Sequence, residues 1–207
     1  VTGIDVDVKL IENLDSIPSP YLTGLFDVFL CNSILVPLIQ KVRGCPYKCV
    51  FCVSGSQPNK LRSFSCNRVI KEIQYLKERA TNKNIRITDD NFGFFKDDIR
   101  IAKFIRDTYD KYGYPSGIKL YQSKITNEQT RNIALTLKPL TLLCTSFETT
   151  TDHVVKNTNR INTTFEQARN DISFSRKHGI ATGTELIFGL PGESVESMKN
   201  VVETMIN

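Results

Sequence analysis

The sequence predicts an α/β fold, a partial parallel (β/α) barrel of five strand–helix units. Three observations carry this reading. Apolar runs of strand length alternate five times with segments whose apolar residues recur at helical spacing. No hairpin signal separates successive strands, so the connections read as right-handed crossovers within a parallel sheet. Each strand-like run is also followed by polar residues at its C-terminal end, where parallel barrels place their chemistry.

The units follow in order. The apolar run Ile34 to Val42 leads through Arg43 and Gly44 into Cys45. Beyond the cysteines a helix carries Val69, Ile70, Ile73 and Leu76 on one face. In the second unit Ile85 to Thr88 is strand-like, and Asp97 to Tyr109 is helical with Ile101, Ala102 and Ile105 turned inward. Gly117 to Tyr121 reads as the third strand. Thr126-x-x-Gln129 then has the form of a capping box, whose hydroxyl and amide satisfy the backbone N–H groups that a helix start leaves unpaired, so residues 127–137 are predicted helical. Leu140 to Phe147 is apolar enough for a strand buried on both faces, and Thr163-x-x-Glu166 opens a helix that Gly179 ends. Thr182 to Phe188 and the segment after Ser194 form the fifth unit.

Composition narrows the class. The 207 residues suffice for one large domain, and 40% apolar with 24% charged residues is ordinary for a globular protein, which excludes fibrous and disordered chains. No stretch is long and apolar enough to predict a membrane span. The 27 Lys and Arg exceed the 22 Asp and Glu by a net charge of +5, but they are scattered, so no nucleic-acid partner is expected. Pro18 and Pro20 enforce extended backbone, and residues 1–30 read as an extended interdomain linker ahead of a core domain over residues 31–207. The chain starts at Val1 and stops inside an amphipathic segment bearing Met198, Val201, Val202 and Met205. The core therefore reads as C-terminally incomplete, with an uncovered sheet edge and low stability.

Three of the six cysteines fall within eight residues and no secretory signal precedes them, which points to a reducing, cytoplasmic setting and ligand thiolates. The loop Cys45-Pro46-Tyr47-Lys48-Cys49-Val50-Phe51-Cys52 has the spacing C-x3-C-x2-C. Three soft thiolates in so short a loop suit three corners of a cubane iron–sulfur cluster, leaving the fourth iron open to bind a substrate or cofactor. The alternatives are a zinc site completed by Cys66 or Cys31, which would make the chain a four-cysteine structural module, and a cluster that serves only as an electron carrier.

The cysteine loop, with Phe51 ahead of the third cysteine, resembles the signature of the radical S-adenosylmethionine superfamily. Further segments resemble the same family: Asp89-Asp90-Asn91-Phe92 after the second strand, Ser146-Phe147-Glu148-Thr149 after the fourth, and Ile187-Phe188-Gly189-Leu190-Pro191-Gly192-Glu193 after the fifth. Leu14 to Gly24 resembles the linker of members that carry a cobalamin-binding domain upstream, although no Asp-x-His-x-x-Gly motif and no sixth strand occur in this chain.

The resemblance implies a radical-SAM-type core. Cys45, Cys49 and Cys52 would hold a [4Fe-4S] cluster whose open iron takes S-adenosylmethionine, and reductive cleavage then gives methionine and a 5′-deoxyadenosyl radical. Phe51 and Ile187 would offer apolar surface to adenine, and Asp90 with Asn91 would accept from the methionyl ammonium. Glu148 would accept from the ribose hydroxyls or the same ammonium, Arg160 would pair with the carboxylate, and Gln122 is a polar candidate at the third strand end. The implied partners are a small-molecule substrate, a low-potential electron donor and an upstream cobalamin-binding domain, with cobalamin as a further cofactor and methyl transfer as an outcome. Each residue also has a plainer reading. Phe51 could be core, Asp89 and Asp90 could cap the turn before Gly93, and Cys31, Cys66 and Cys144 could be packed thiols.

Overall fold

The computed structural model describes residues 10–56 and 60–206, the side chains of residues 55 and 56 aside, so the first nine residues of the expected linker and the final Asn207 lie outside it. From the first unit come β1 (Leu38–Ile39) and β2 (Val42–Arg43), preceded by α1 (Asp27–Leu30). After the cysteines come α2 (Val53–Ser56), β3 (Arg62–Ser63) and α3 (Cys66–Arg79). The second and third units are β4 (Asn84–Ile87) with α4 (Asp98–Tyr112), and β5 (Gly117–Lys119) with α5 (Glu128–Leu137). Then follow β6 (Leu143–Glu148), α6 (Asp152–Asn157), α7 (Phe165–His178), β7 (Thr182–Leu186) and α8 (Val195–Ile206).

The five strands read from the sequence are parallel, as a partial barrel requires. β4 pairs with β1 on one side and β5 on the other, while β6 pairs with β7. Bonds between the two sheets connect them: the Ile118 amide donates to the Leu140 carbonyl (3.0 Å) and Gln122 Nε2 to the Leu142 carbonyl (3.4 Å). Inside lies a continuous apolar core containing Ile39, Ile85, Ile87 and Phe92 from the strand side and Val69, Ile73, Leu76, Ile101, Ile105 and Ile133 from α3, α4 and α5. Burying one such side chain stabilises the fold by about 1.5–3 kcal/mol, so three amphipathic helices hold the sheet through these faces.

Several expectations are corrected. The run Ile34 to Val42 is not one strand. Ile34, Leu35 and Val36 are exposed, and the ladder starts only where the Pro37 carbonyl accepts the Arg86 amide (3.0 Å). Val42 and Arg43 then turn away to pair antiparallel with Ser63 and Arg62, a clasp the sequence did not signal. The predicted capping box and the predicted opening of the later helix both lie one residue further on. Asn127 pairs reciprocally with Thr130 and Thr164 with Gln167, because in each case the neighbouring residue also has the right chemistry and the helix phase selects between them. β6 is not buried on both faces: Leu143, Thr145 and Phe147 are buried, but Cys144, Ser146 and Glu148 alternate toward an open interior. Within residues 10–30 the proline segment is non-helical, yet a 3-10 turn at Leu14–Ser16 and α1 flank it, and Leu14, Tyr21 and Leu30 enter the main core.

The sequence reading also passed over Lys41. Its side chain is 1% exposed and its ammonium pairs with Asp97 (2.5 Å) and Asp98 at the head of α4. Burial lowers the affinity of this amine for its proton, but the two carboxylates outweigh that and leave its pKa raised.

Candidate functional site

A cavity of about 610 Å³ opens at the C-terminal ends of the parallel strands, large enough for a drug-sized ligand. Every site residue expected from the sequence lines it: Cys45, Cys49 and Cys52, Phe51, Asp90 and Asn91, Gln122, Glu148, Arg160, and Ile187. They arrive there from five strand ends and from loops between them, as the geometry of a parallel barrel dictates.

The cysteine loop is tied down at its base and on its far side. The β2–β3 clasp closes its base, with the Phe64 amide donating to the Lys41 carbonyl (2.8 Å). At Gly44 the backbone has φ +97° and an added Cβ would meet the Lys60 carbonyl oxygen at 3.0 Å, so glycine is needed where the loop departs. On the far side the loop after α6 holds it. The Val50 amide donates to the Thr158 carbonyl (3.1 Å) and Asn159 Nδ2 to the Lys48 carbonyl (3.2 Å). Cys45 and Cys49 are buried and Cys52 is partly exposed.

At the end of β4, Asp89 and Asn91 do different work. Asp89 is fully buried and its Oδ1 accepts the amides of Lys41 (2.7 Å) and Val42 (3.0 Å), fixing the turn that leads into the cysteine loop. Burial pushes its carboxyl up to about 6 against those two amide bonds. The turn before Gly93 is capped not by Asp89 or Asp90 but by Asp98, whose Oδ2 accepts the amides of Gly93 (2.8 Å) and Phe95 (3.1 Å). Gln129 of α5 donates to the carbonyls of Gly93 (2.8 Å) and Phe95 (2.6 Å), holding the same loop from the other side. Asn91 donates to Cys45 Sγ (3.2 Å) and accepts the Lys124 amide (3.3 Å), whereas Asp90 is exposed on the cavity wall.

The loops after β4 and β5 are joined by an isolated parallel bridge between Phe92 and Gln122. Gln122 Oε1 is buried on this wall without a hydrogen-bond partner. Such an orphaned acceptor normally requires a partner, and a ligand hydroxyl or amine in the cavity would supply one.

On the opposite wall β6 breaks its register with β7 between Ser146 and Glu148, and Glu148 takes the left-handed conformation at φ 61°. A non-glycine residue held there is strained, and such strain concentrates at functional sites. Burial raises the Glu148 carboxyl above the usual range, while the Arg160 guanidinium, 3.3 Å away, pulls it back. Arg160 is anchored by the Ser146 carbonyl and by Asn162 Oδ1 (2.5 Å). After β7, Glu193 accepts the amides of Gly189 (3.1 Å) and Leu190 (3.4 Å) and the Thr149 hydroxyl (3.3 Å), linking the glycine-containing loop to the end of β6.

Tyr47, Tyr121, Lys124, Ser146, Glu185 and Leu186 also line the cavity and were missed. Strand alternation from Glu148 could have found Ser146. Nothing local marks Lys124, whose Nζ lies 2.9 Å from Cys49 Sγ across 75 residues of sequence. The zinc alternative finds no support in the placement of its fourth ligand. Cys66 heads α3 away from the cavity and donates to Asp97 Oδ2 (3.0 Å), its thiol pushed up to about 11 by burial and then by that carboxylate. Cys31 is exposed beside the Asp27 carbonyl.

Comparison with known proteins bears on the whole of this frame. The chain is 32% identical over 198 residues to 2-(S-pantetheinyl)-carbapenam-3-carboxylate methyltransferase of Streptantibioticus cattleyicolor, covering 91% of this chain and 29% of that protein. It is 30% identical over 207 residues to the cobalamin-dependent radical SAM methyltransferase TokK of Streptomyces tokunonensis, covering 96% and 30%. It thus spans less than a third of these curated relatives. Among solved structures, the radical S-adenosylmethionine methyltransferase TsrM of Kitasatospora setae shares the fold with a TM-score of 0.66 at 18% identity, covering 83% of this chain and 32% of that one. The cobalamin-dependent S-adenosylmethionine radical enzyme OxsB does so with a TM-score of 0.65 at 17% identity, over 95% and 29%. The family model described as the Radical SAM superfamily matches residues 39–205. Since that span begins in β1, takes in the cysteine loop and runs into the last turn of α8, the chain belongs to the radical S-adenosylmethionine superfamily.

Proposed function

We propose that this chain is the cluster-bearing part of a radical S-adenosylmethionine methyltransferase that works with cobalamin held elsewhere in the protein. The observation that carries the proposal is the meeting of the three loop thiols with four other polar strand ends around one cavity. The donor set fits a [4Fe-4S] cluster: three soft sulfurs on one loop, two of them already receiving N–H donors from Asn91 and Lys124. The orphaned Gln122 Oε1 and the mixed polar and apolar walls fit a nucleoside sulfonium beside it. When bound, the cluster supplies the electron that cleaves the sulfonium and starts radical chemistry.

The chain's own residues position and shield. Cys45, Cys49 and Cys52 hold the iron, and the β2–β3 clasp and the Thr158–Asn159 loop keep them aimed at the cavity. Phe51 and Ile187 give apolar surface to adenine and exclude water. Asp90 receives the methionyl ammonium, since Asn91 is engaged with Cys45 and Lys124. Arg160 stands beside Glu148 as the cation for the carboxylate, and Glu148 is the acceptor for ribose hydroxyls. Residues 1–30 would then be the linker to an upstream cobalamin-binding domain, and its described part is docked on β1, where Tyr21 Oη donates to the Leu38 carbonyl (2.9 Å). The small-molecule substrate, a low-potential electron donor and a cytoplasmic setting complete the reading, the last favoured by thiols that must stay reduced to bind iron.

Anaerobic incubation of the intact protein with a strong reductant and S-adenosylmethionine tests this. Formation of 5′-deoxyadenosine or of S-adenosylhomocysteine is the expected result, and neither product would end the proposal. Cys45→Ala is expected to abolish iron and acid-labile sulfide binding, whereas Cys66→Ala retains both. Loss of metal in Cys66→Ala would point back to a closed four-cysteine site.

A further inference from the structure

We propose that Lys124 and Asn91 are positioning residues that set the reduction potential of the cluster held by Cys45, Cys49 and Cys52, an inference that rests on the cluster reading above. Lys124 lies on the loop that follows β5, just beyond Gln122 and Ser123. Its ammonium reaches Cys49 Sγ at 2.9 Å and sits 4.3 Å from the centre of the Tyr47 ring, so a cation–π contact keeps it over the loop. The Lys124 backbone amide donates to Asn91 Oδ1 (3.3 Å), and the other end of the same carboxamide donates to Cys45 Sγ (3.2 Å). One relay therefore orients both donors, and the orientation of Asn91 is fixed because its oxygen faces an N–H and its nitrogen faces a sulfur.

Hydrogen bonds to ligand sulfurs and nearby positive charge are the protein's means of tuning an iron–sulfur centre. Reduction adds an electron to the cluster and makes it more negative. An N–H donor and an ammonium at contact distance stabilise that reduced form, so removing either shifts the one-electron couple to lower potential. Among the described hydrogen bonds the Cys52 sulfur receives no such donor, so the perturbation falls on two of the three corners. Lys124 is only partly buried and Glu148 acts on it from the opposite wall, which moderates the effect of the charge.

The test is an anaerobic potentiometric titration of the reconstituted full-length protein, followed by electron paramagnetic resonance without S-adenosylmethionine. Lys124→Met is expected to keep its iron and sulfide but lower the reduction equilibrium constant by about tenfold, which is 59 mV for a one-electron couple. Lys124→Arg is expected to restore most of the shift. Should Lys124→Met hold less iron, Lys124→Gln removes the charge while keeping an N–H donor, and its midpoint should fall between that of the wild type and the tenfold shift. An unchanged midpoint in a fully loaded Met or Gln variant overturns the inference. If such a variant instead loses affinity for S-adenosylmethionine, the ammonium belongs to the nucleotide and the inference likewise fails. A wild-type protein that takes up no iron would overturn the cluster reading and this inference with it.

Discussion

Asp89 concentrates the cost of shaping this site in one residue. A carboxyl lifted from its ordinary 3.8 to about 6 by burial carries, once ionised, a penalty on the order of 3 kcal/mol. Its folded pKa lies above its unfolded value, so between about pH 4 and 6 the native state binds more protons than the unfolded chain. The contribution of this residue to stability therefore falls as pH rises through that window and is constant above it. Asp89→Asn keeps the Oδ1 acceptor for the Lys41 and Val42 amides and removes the charge. The variant is expected to flatten the pH dependence of stability between about pH 4 and 6. Chemical denaturation across that range checks it, and an unchanged slope would assign the titration to another group. The role of Asp89 could not be read from its neighbours in sequence, because the amides it holds lie 48 and 47 residues away. The gathering of three thiols on one wall of the cavity was legible for the opposite reason, since their spacing within one loop is local.

Elements were legible wherever one face of a helix is apolar, as in α3, α4 and α5, and poorly legible where strands are two residues long. β1 and β2 come from one apolar run that bends, and nothing in its composition marks the bend. The two helix caps lie one residue past their predicted places because Thr126 and Asn127, like Thr163 and Thr164, are both competent caps. The displacement freed Gln129 for another task, bridging α5 to the Gly93–Phe95 loop. Gln129→Ala leaves two carbonyls of that loop without their donor and is expected to cost about 1–3 kcal/mol. The loss should appear in thermal unfolding, together with weaker binding in a cavity whose wall this loop continues. Wild-type stability in the variant would mean that water replaces the amide without penalty.

For the molecule as a whole, the two parallel sheets differ. β4 is paired on both sides and backed by the main core, whereas β7 is paired only with β6 among the described residues and exposes most of its length. Native-state hydrogen exchange is expected to show the β7 and α8 amides opening well before those of β4. Uniform protection would contradict the uneven core. The overall parallel order was legible because it follows from repeated alternation of strand and helix. The way the loop after α6 returns to the cysteines was not, since Asn159 meets Lys48 across 111 residues. That return and the two-rung clasp of β2 with β3 pin the arc carrying the thiols at its base and flank without any help from iron. Stripping the metal with a chelator should accordingly leave far-ultraviolet circular dichroism nearly intact, so that maturation amounts to loading inorganic cargo into a prepared socket rather than folding around it, the reverse of a zinc finger.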